Sequence, residues 1–248
     1  MYCSAWMSSD PPASRRRRLA EAASALKRRF PSALGAGGDP LPMESTGVPA
    51  LDRMLPGGGF PRGRLSVLYG PPSSGRAGLT LSAAARLTQG GRLVGWIDGP
   101  GDFHPPSAAS AGLDISRVLL VRPPPSEPAE ALHAAVLLLR TSALPLLVLD
   151  ITGDDPGRSG RRYQGVFPRL RRSVPSSSVC LVLSGAKPPE DLLRLATIAI
   201  RLERDSRKHL GAASPGGINV TATLARSRLG GERQRCNMSL PSSRVSVR

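Results

Sequence analysis

The chain has 248 residues, 40% of them hydrophobic, enough for one full-sized core and a small appendage. Its first residues, MYCSAWMSSDPPAS, lack a basic stretch followed by an apolar one, and no apolar run nears the roughly 18–20 residues of a membrane span, so a cytoplasmic protein without a membrane segment is expected. Cys3, Cys180 and Cys236 form no CxxC pair, so neither a disulfide framework nor a metal site is predicted. The net charge of +16 is uneven: residues 156–248 carry 18 basic against 5 acidic side chains, while 46–155 carry 9 of each. Such asymmetry fits a polyanionic or acidic partner, or a solvated face in an arginine-rich composition.

In chain order, Arg15 to Arg29 reads as an amphipathic helix, with Leu19, Ala22, Ala23 and Leu26 on one face and Ser14 as N-cap. Pro31 ends it, and the Gly- and Pro-rich stretch to Pro42 reads as a linker. The expected organisation is an N-terminal arm and linker over 1–44, a core over 45–240, and a disordered tail over 241–248. Short apolar runs then alternate with helical periodicity. LSVLY (65–69) precedes a helix from about Ala77; RLVGWID (92–98) and VLLV (118–121) precede a helix from Glu127 to Thr141; LPLLVLDI (144–151), VCLVLS (179–184) and ATIAIRLE (196–203) follow. Continuous apolar strands between helices predict an α/β fold with a mostly parallel, twisted central sheet covered on both faces. INVTATLAR (218–226) and RCNMSL (235–240) have no helix between them and would extend one edge antiparallel. Residues 153–162 (GDDPGRSGRR) read as a loop.

The segment SVLYGPPSSGRAGLTLS (66–82) sets a glycine-rich turn after a strand and before a helix. That is the setting of a phosphate-binding loop, whose working form GxxxxGK[ST] cradles phosphates on backbone N–H groups, reaches them with a Lys and holds Mg²⁺ with a hydroxyl. Gly70, Ser73, Ser74 and Gly75 match the loop, but Arg76 stands in the Lys position and Ala77 in the hydroxyl position. Alanine cannot ligate a metal, and a rigid guanidinium replaces a compact ammonium badly, which argues against ATP as a cofactor.

STGVPALDRML, GGGFPRGRLSVLYGPPSSG and GWIDGPGDFHPPSAASAGLDI, in this order and spacing, resemble the RecA recombinase family from Ser45 to Ile115. The resemblance implies a RecA-like core with an N-terminal helical arm and makes Asp150, at the end of LPLLVLD, the Walker B aspartate. It also implies that Pro100 replaces the glutamate that activates water, Ser107 the aromatic residue that stacks on adenine, and Ser184 the glutamine that senses the γ-phosphate. With Arg76 and Ala77 these departures predict a chain that is not an ATPase. A shortened RecA relative of this kind is similar to ImuA, the accessory protein of bacterial mutasome cassettes, with SulA-like division inhibitors, which share a remote RecA core, as the alternative.

That likeness implies a non-catalytic adaptor in SOS mutagenesis and translesion synthesis, partnered by a RecA recombinase, by the polymerase-like protein ImuB and, indirectly, by an error-prone DnaE-type polymerase. It implies a cytoplasmic, nucleoid-associated protein and leaves self-association open. Leu19, Leu26 and Phe30 of the arm are the candidate partner-binding residues. Arg158, Arg161, Arg162, Arg169, Arg171 and Arg172 are candidate phosphate contacts for weak, sequence-independent DNA binding, with Arg162, Arg169 and Arg172 on one stripe if residues 161–173 are helical. A nonspecific DNA-binding protein, or a residual DNA-stimulated ATPase, is the alternative. His104, His133 and His209 are isolated and take no assigned role.

Overall fold

The computed structural model describes residues 21, 41–124, 128–141, 143–151, 165–205, 217–231 and 233–241. The chain divides into two compact units, Met1–Pro40 and Leu41–Arg248. Of the first, Glu21 is described and is helical. Leu19, Leu26 and Phe30 lie outside the described residues, as do the 153–162 loop and the expected tail beyond Pro241.

The second unit opens on β1 (Met43–Glu44), paired antiparallel with β2 (Phe60–Pro61). This pairing places Met43 and Glu44 with the core rather than with the linker, a boundary that a two-residue strand gives no periodicity to reveal. Between the two strands runs α1 (Pro49–Met54), entered through a proline in its first turn. Asp52 on α1 reaches back to fix the entry, accepting from Ser45 Oγ at 2.5 Å and from the Thr46 N–H at 2.8 Å.

The central sheet takes its strands from the predicted apolar runs: β3 (Leu65–Tyr69), β4 (Val94–Asp98), β5 (Val118–Val121), β6 (Leu146–Asp150), β7 (Cys180–Gly185), β8 (Ile198–Arg204), β9 (Gly217–Ser227) and β10 (Arg235–Pro241). Their spatial order is β10-β9-β8-β3-β7-β6-β4-β5. Strands β3 to β8 run parallel, and β9 and β10 extend the β8 edge antiparallel, as the absence of an intervening helix predicts.

Helices cover both faces: α2 (Arg76–Gln89), α3 (Pro105–Ser110), α4 (Pro128–Leu139), α5 (Phe167–Ser173) and α6 (Glu190–Leu195). Helices α1, α3 and α6 have six residues each, too short for a 3.6-residue period to register in the sequence. Successive strand residues point to opposite faces, so each strand feeds two cores. Leu68, Trp96, Val148 and Val182 join α1 and α2 in one; Val67, Ile97, Leu149 and Leu183 join α4, α5 and α6 in the other. Parallel strands buried on both faces must be apolar throughout, which is why they read as unbroken runs and not as alternation.

Leu183 is fully buried at the centre of the second core. Leu183→Ala is expected to lower stability by about 2–5 kcal/mol, whereas Leu137→Ala, at a side chain 63% exposed, should shift it by less than about 0.5 kcal/mol. Urea unfolding followed by circular dichroism measures both, and comparable losses would count against this placement of the core.

Candidate functional site

Parallel register sets a row of polar groups across the carboxyl ends of the strands, where open α/β sheets bind ligands. Asp98 on β4 stands beside Asp150 on β6, Asp150 beside Ser184 on β7, and Ser184 beside Leu68 on β3. The row shares the face that α2 covers, because Leu68 belongs to that core.

The glycine-rich turn joins β3 to α2 directly beneath this row. Gly70 is required by close approach, since a Cβ there would lie 2.1 Å from the Leu202 carbonyl oxygen. Gly75 starts α2 at φ +96°, a left-handed conformation, and any side chain there would meet Val220 and Leu240. Ser73 adopts φ +60°, uncommon for a residue with a Cβ. Ser74 is buried, and its hydroxyl has no hydrogen-bond partner among the described residues.

Arg76 follows at the first position of α2, and 7% of its surface is exposed. Its guanidinium points along the row, with Nη1 3.4 Å from Ser184 Oγ. Burial lowers its pKa, while the carboxylates of Asp150 and then Asp102 act in the opposite sense. A guanidinium stays protonated under such pressures, so Arg76 sits as a permanent cation between the phosphate loop and the acidic strand ends.

The opposing wall is built on Asp98, whose side chain is fully buried. It accepts the N–H groups of Gly101 at 2.9 Å, Asp102 at 3.0 Å and Phe103 at 3.0 Å, and an ion pair from Arg122 Nε at 2.9 Å. Arg122 also donates to the Phe103 carbonyl, tying the start of the 122–124 segment to the same loop. Phe103 is thereby held against Trp96, ring centroids 4.9 Å apart and tilted by 53°. Beyond it His104 is the N-cap of α3: its Nδ1 accepts the Ser107 N–H at 3.2 Å and lies 2.7 Å from Ser107 Oγ. Asp102, between these anchors, has its carboxyl pKa raised by burial and by Asp98, against the lowering by its own backbone hydrogen bond, Arg76 and Arg122.

These walls enclose a cavity of about 510 Å³, within the roughly 300–1,000 Å³ of small-molecule sites. Ser73, Ser74, Gly75, Arg76, Ala77 and Asp150 all border it, together with Ser107 and Ser184. Gly70 holds the turn from behind. Trp96, Asp102, Phe103, His104 and Arg204 also line it, and sequence reasoning assigned them no part. Trp96, Asp102, Phe103 and His104 fall inside GWIDGPGDFHPPSAASAGLDI, and their place in that segment was the available signal. Among the described residues no group of His, Cys, Asp and Glu could hold a metal ion, and no helix is long and apolar enough to cross a membrane.

The predicted arginine cluster lies elsewhere. Arg169, Arg171 and Arg172 are exposed on α5, which covers the sheet face opposite to α2. Helix α5 begins at Phe167, so of the stripe proposed over 161–173 only Arg169 and Arg172 are on described helix. Arg158, Arg161 and Arg162 lie outside the described residues.

The family model for the RecA N-terminal domain matches residues 34–154. Protein RecA of Leifsonia xyli subsp. xyli is 37% identical over 170 residues, which is 64% of this chain and 47% of that protein. Protein RecA of Streptomyces venezuelae is 38% identical over 138 residues, 53% of this chain and 36% of that protein. The chain thus spans about half, or less, of the length of these curated relatives. The crystal structure of the RadB recombinase superposes with a TM-score of 0.60 at 25% identity, covering 79% of this chain and 94% of that one.

Asp98→Ala would leave the N–H groups of Gly101, Asp102 and the buried Phe103, and Arg122 Nε, without their acceptor. A loss of about 2–4 kcal/mol is expected, with weakened near-ultraviolet dichroism from Trp96, measured by chemical denaturation. A variant as stable as the parent would show that the loop after β4 holds its place without the carboxylate.

Proposed function

From the RecA-like superfamily core that this chain carries, we propose a protein that acts by binding other proteins: a non-catalytic adaptor of the ImuA type in DNA-damage-induced mutagenesis and translesion DNA synthesis. The observation that carries the reading is the buried Arg76 guanidinium, set between the phosphate loop and Ser184 where the motif needs a lysine. A magnesium nucleotide is a poor fit to these side chains. Ala77 offers the metal no hydroxyl, and the larger guanidinium of Arg76 takes up space beside the loop. Pro100 has no group to accept a proton from water, and Ser107 has no ring to stack on a base.

Without turnover, the remaining assets are surfaces. The reading takes the N-terminal arm, with Leu19, Leu26 and Phe30, as the contact for a RecA recombinase, and makes ImuB the second partner, through which an error-prone DnaE-type polymerase is engaged. Among the described residues strand β5 ends the sheet, with Leu119 47% exposed, and a strand edge of this kind offers backbone groups to another chain. A subunit that docks on a RecA filament end but cannot close a nucleotide site with its neighbour would stop extension there.

No ATP hydrolysis is expected with or without single-stranded DNA, and Arg76→Lys with Ala77→Thr should not create it, because Pro100 still supplies no base. Phosphate release that requires DNA and disappears in Asp150→Ala would overturn the non-catalytic reading.

The full chain is expected to bind RecA and slow filament growth, and Leu19→Asp with Leu26→Asp should abolish both while leaving the far-ultraviolet dichroism of the core intact. RecA binding of undiminished affinity by that double variant would move the contact off the arm.

A further inference from the structure

A second cavity, of about 690 Å³, lies on the sheet face opposite the phosphate loop, between α5, α6 and the turn after β9. Phe167, Pro168 and Leu195 supply its apolar lining, and Arg171, Arg172, Arg194 and Arg228 its positive charge, with Asp191 the one acidic group among the described lining residues.

Arg172, Arg194 and Arg228 are held in place by the fold. Arg228 donates to the Arg194 carbonyl at the end of α6, and Arg226 donates to Leu193 O at 3.5 Å, so two cations cap the negative end of that helix. Arg172 Nε lies 3.3 Å from the Pro168 carbonyl one turn back. Arg194 is paired with Glu190 at 2.8 Å. Among the described lining residues, Arg171, Arg172 and Arg228 remain beside the apolar side chains with Asp191 as the one acidic group. The pKa of Arg228 is lowered by burial, then by the like charges of Arg226 and Arg171, a repulsion that an incoming anion would relieve.

We propose that this cavity is a docking pocket for an acidic peptide segment that carries an apolar anchor side chain. The two halves of the lining ask for the two halves of such a ligand. Guanidiniums form forked hydrogen bonds with carboxylates, and Phe167, Pro168 and Leu195 offer contact to an apolar side chain that excludes water from those bonds. A phosphodiester backbone would satisfy the arginines but brings no apolar group to cover Phe167, Pro168 and Leu195. The pocket shares no residue with the phosphate-loop cavity, so it stands or falls independently of the non-catalytic reading.

The test is fluorescence anisotropy on the full chain with a labelled peptide of about ten residues, Asp and Glu with one central Phe, beside the same peptide with Ala for Phe and a labelled oligothymidylate. The Phe peptide should bind at least about tenfold more tightly than the Ala peptide. Arg171→Glu with Arg228→Glu should weaken it by about tenfold or more. Arg53→Glu with Arg86→Glu, the same charge change at exposed positions of α1 and α2 on the other face of the sheet, should leave it within about twofold. Thermal unfolding checks that each double variant is folded. Absence of peptide binding, indifference to the Arg171 and Arg228 substitutions, an equal loss in the Arg53 and Arg86 variant, or an oligothymidylate that binds through Arg171 and Arg228 and displaces the Phe peptide would each overturn the proposal.

Discussion

The candidate site depends on how one buried charge is neutralised. Asp98 sits at the end of β4 with no contact to solvent, where an isolated carboxylate would be prohibitively costly. Three consecutive backbone N–H groups and the Arg122 guanidinium meet it. Meeting it forces the chain from Gly101 to Phe103 into one tight turn, and that turn seats Phe103 on Trp96 and starts α3 at His104. One wall of the cavity is thus a consequence of an electrostatic requirement, and the polar side chains along it are placed by backbone geometry.

Facing this wall, Arg76 is subject to opposing forces. Burial disfavours its charge, and Asp150 and Asp102 favour it. A cation fixed in the first turn of α2 offsets the acidic strand ends from inside the fold, a role that external ions would otherwise have to take. The loop around it keeps the two glycine positions that close packing demands, against the Leu202 carbonyl and against Val220 and Leu240. The loop's shape is therefore maintained by packing constraints that are separate from the chemistry of the side chains at 76 and 77.

The sheet separates two surfaces of different character. One face, under α2 and α3, holds the cavity with mixed charge; the other, under α4, α5 and α6, carries exposed arginines around an apolar recess. Both faces are packed to completion by alternate residues of the same strands, so a change in strand register would disturb both together. The excess positive charge of the last third of the sequence is thus distributed by topology: α5, α6 and the turn after β9, separated in the chain, meet at one place.

Much of the fold was determined by the sequence alone. Apolar runs such as LSVLY and VLLV coincide with β3 and β5, and the missing helix between the last two runs marks an antiparallel pair, because hydrophobic period and chain length constrain strands directly. The glycine spacing around Ser73 and Ser74 likewise marked the loop, since only glycine tolerates those approaches. Elements of two to six residues, β1, α1, α3 and α6, left no period to read, and the enclosure of Asp98 by Arg122 joins residues 24 apart that no motif connects. The gathering of Arg171 and Arg172 with Arg194 and Arg228 is of the same kind. Sequence fixes which residues must be buried and where the backbone must turn, because those are local properties of side chains; which distant charges share a cavity is decided by strand order and helix packing, and only the tertiary structure supplies them.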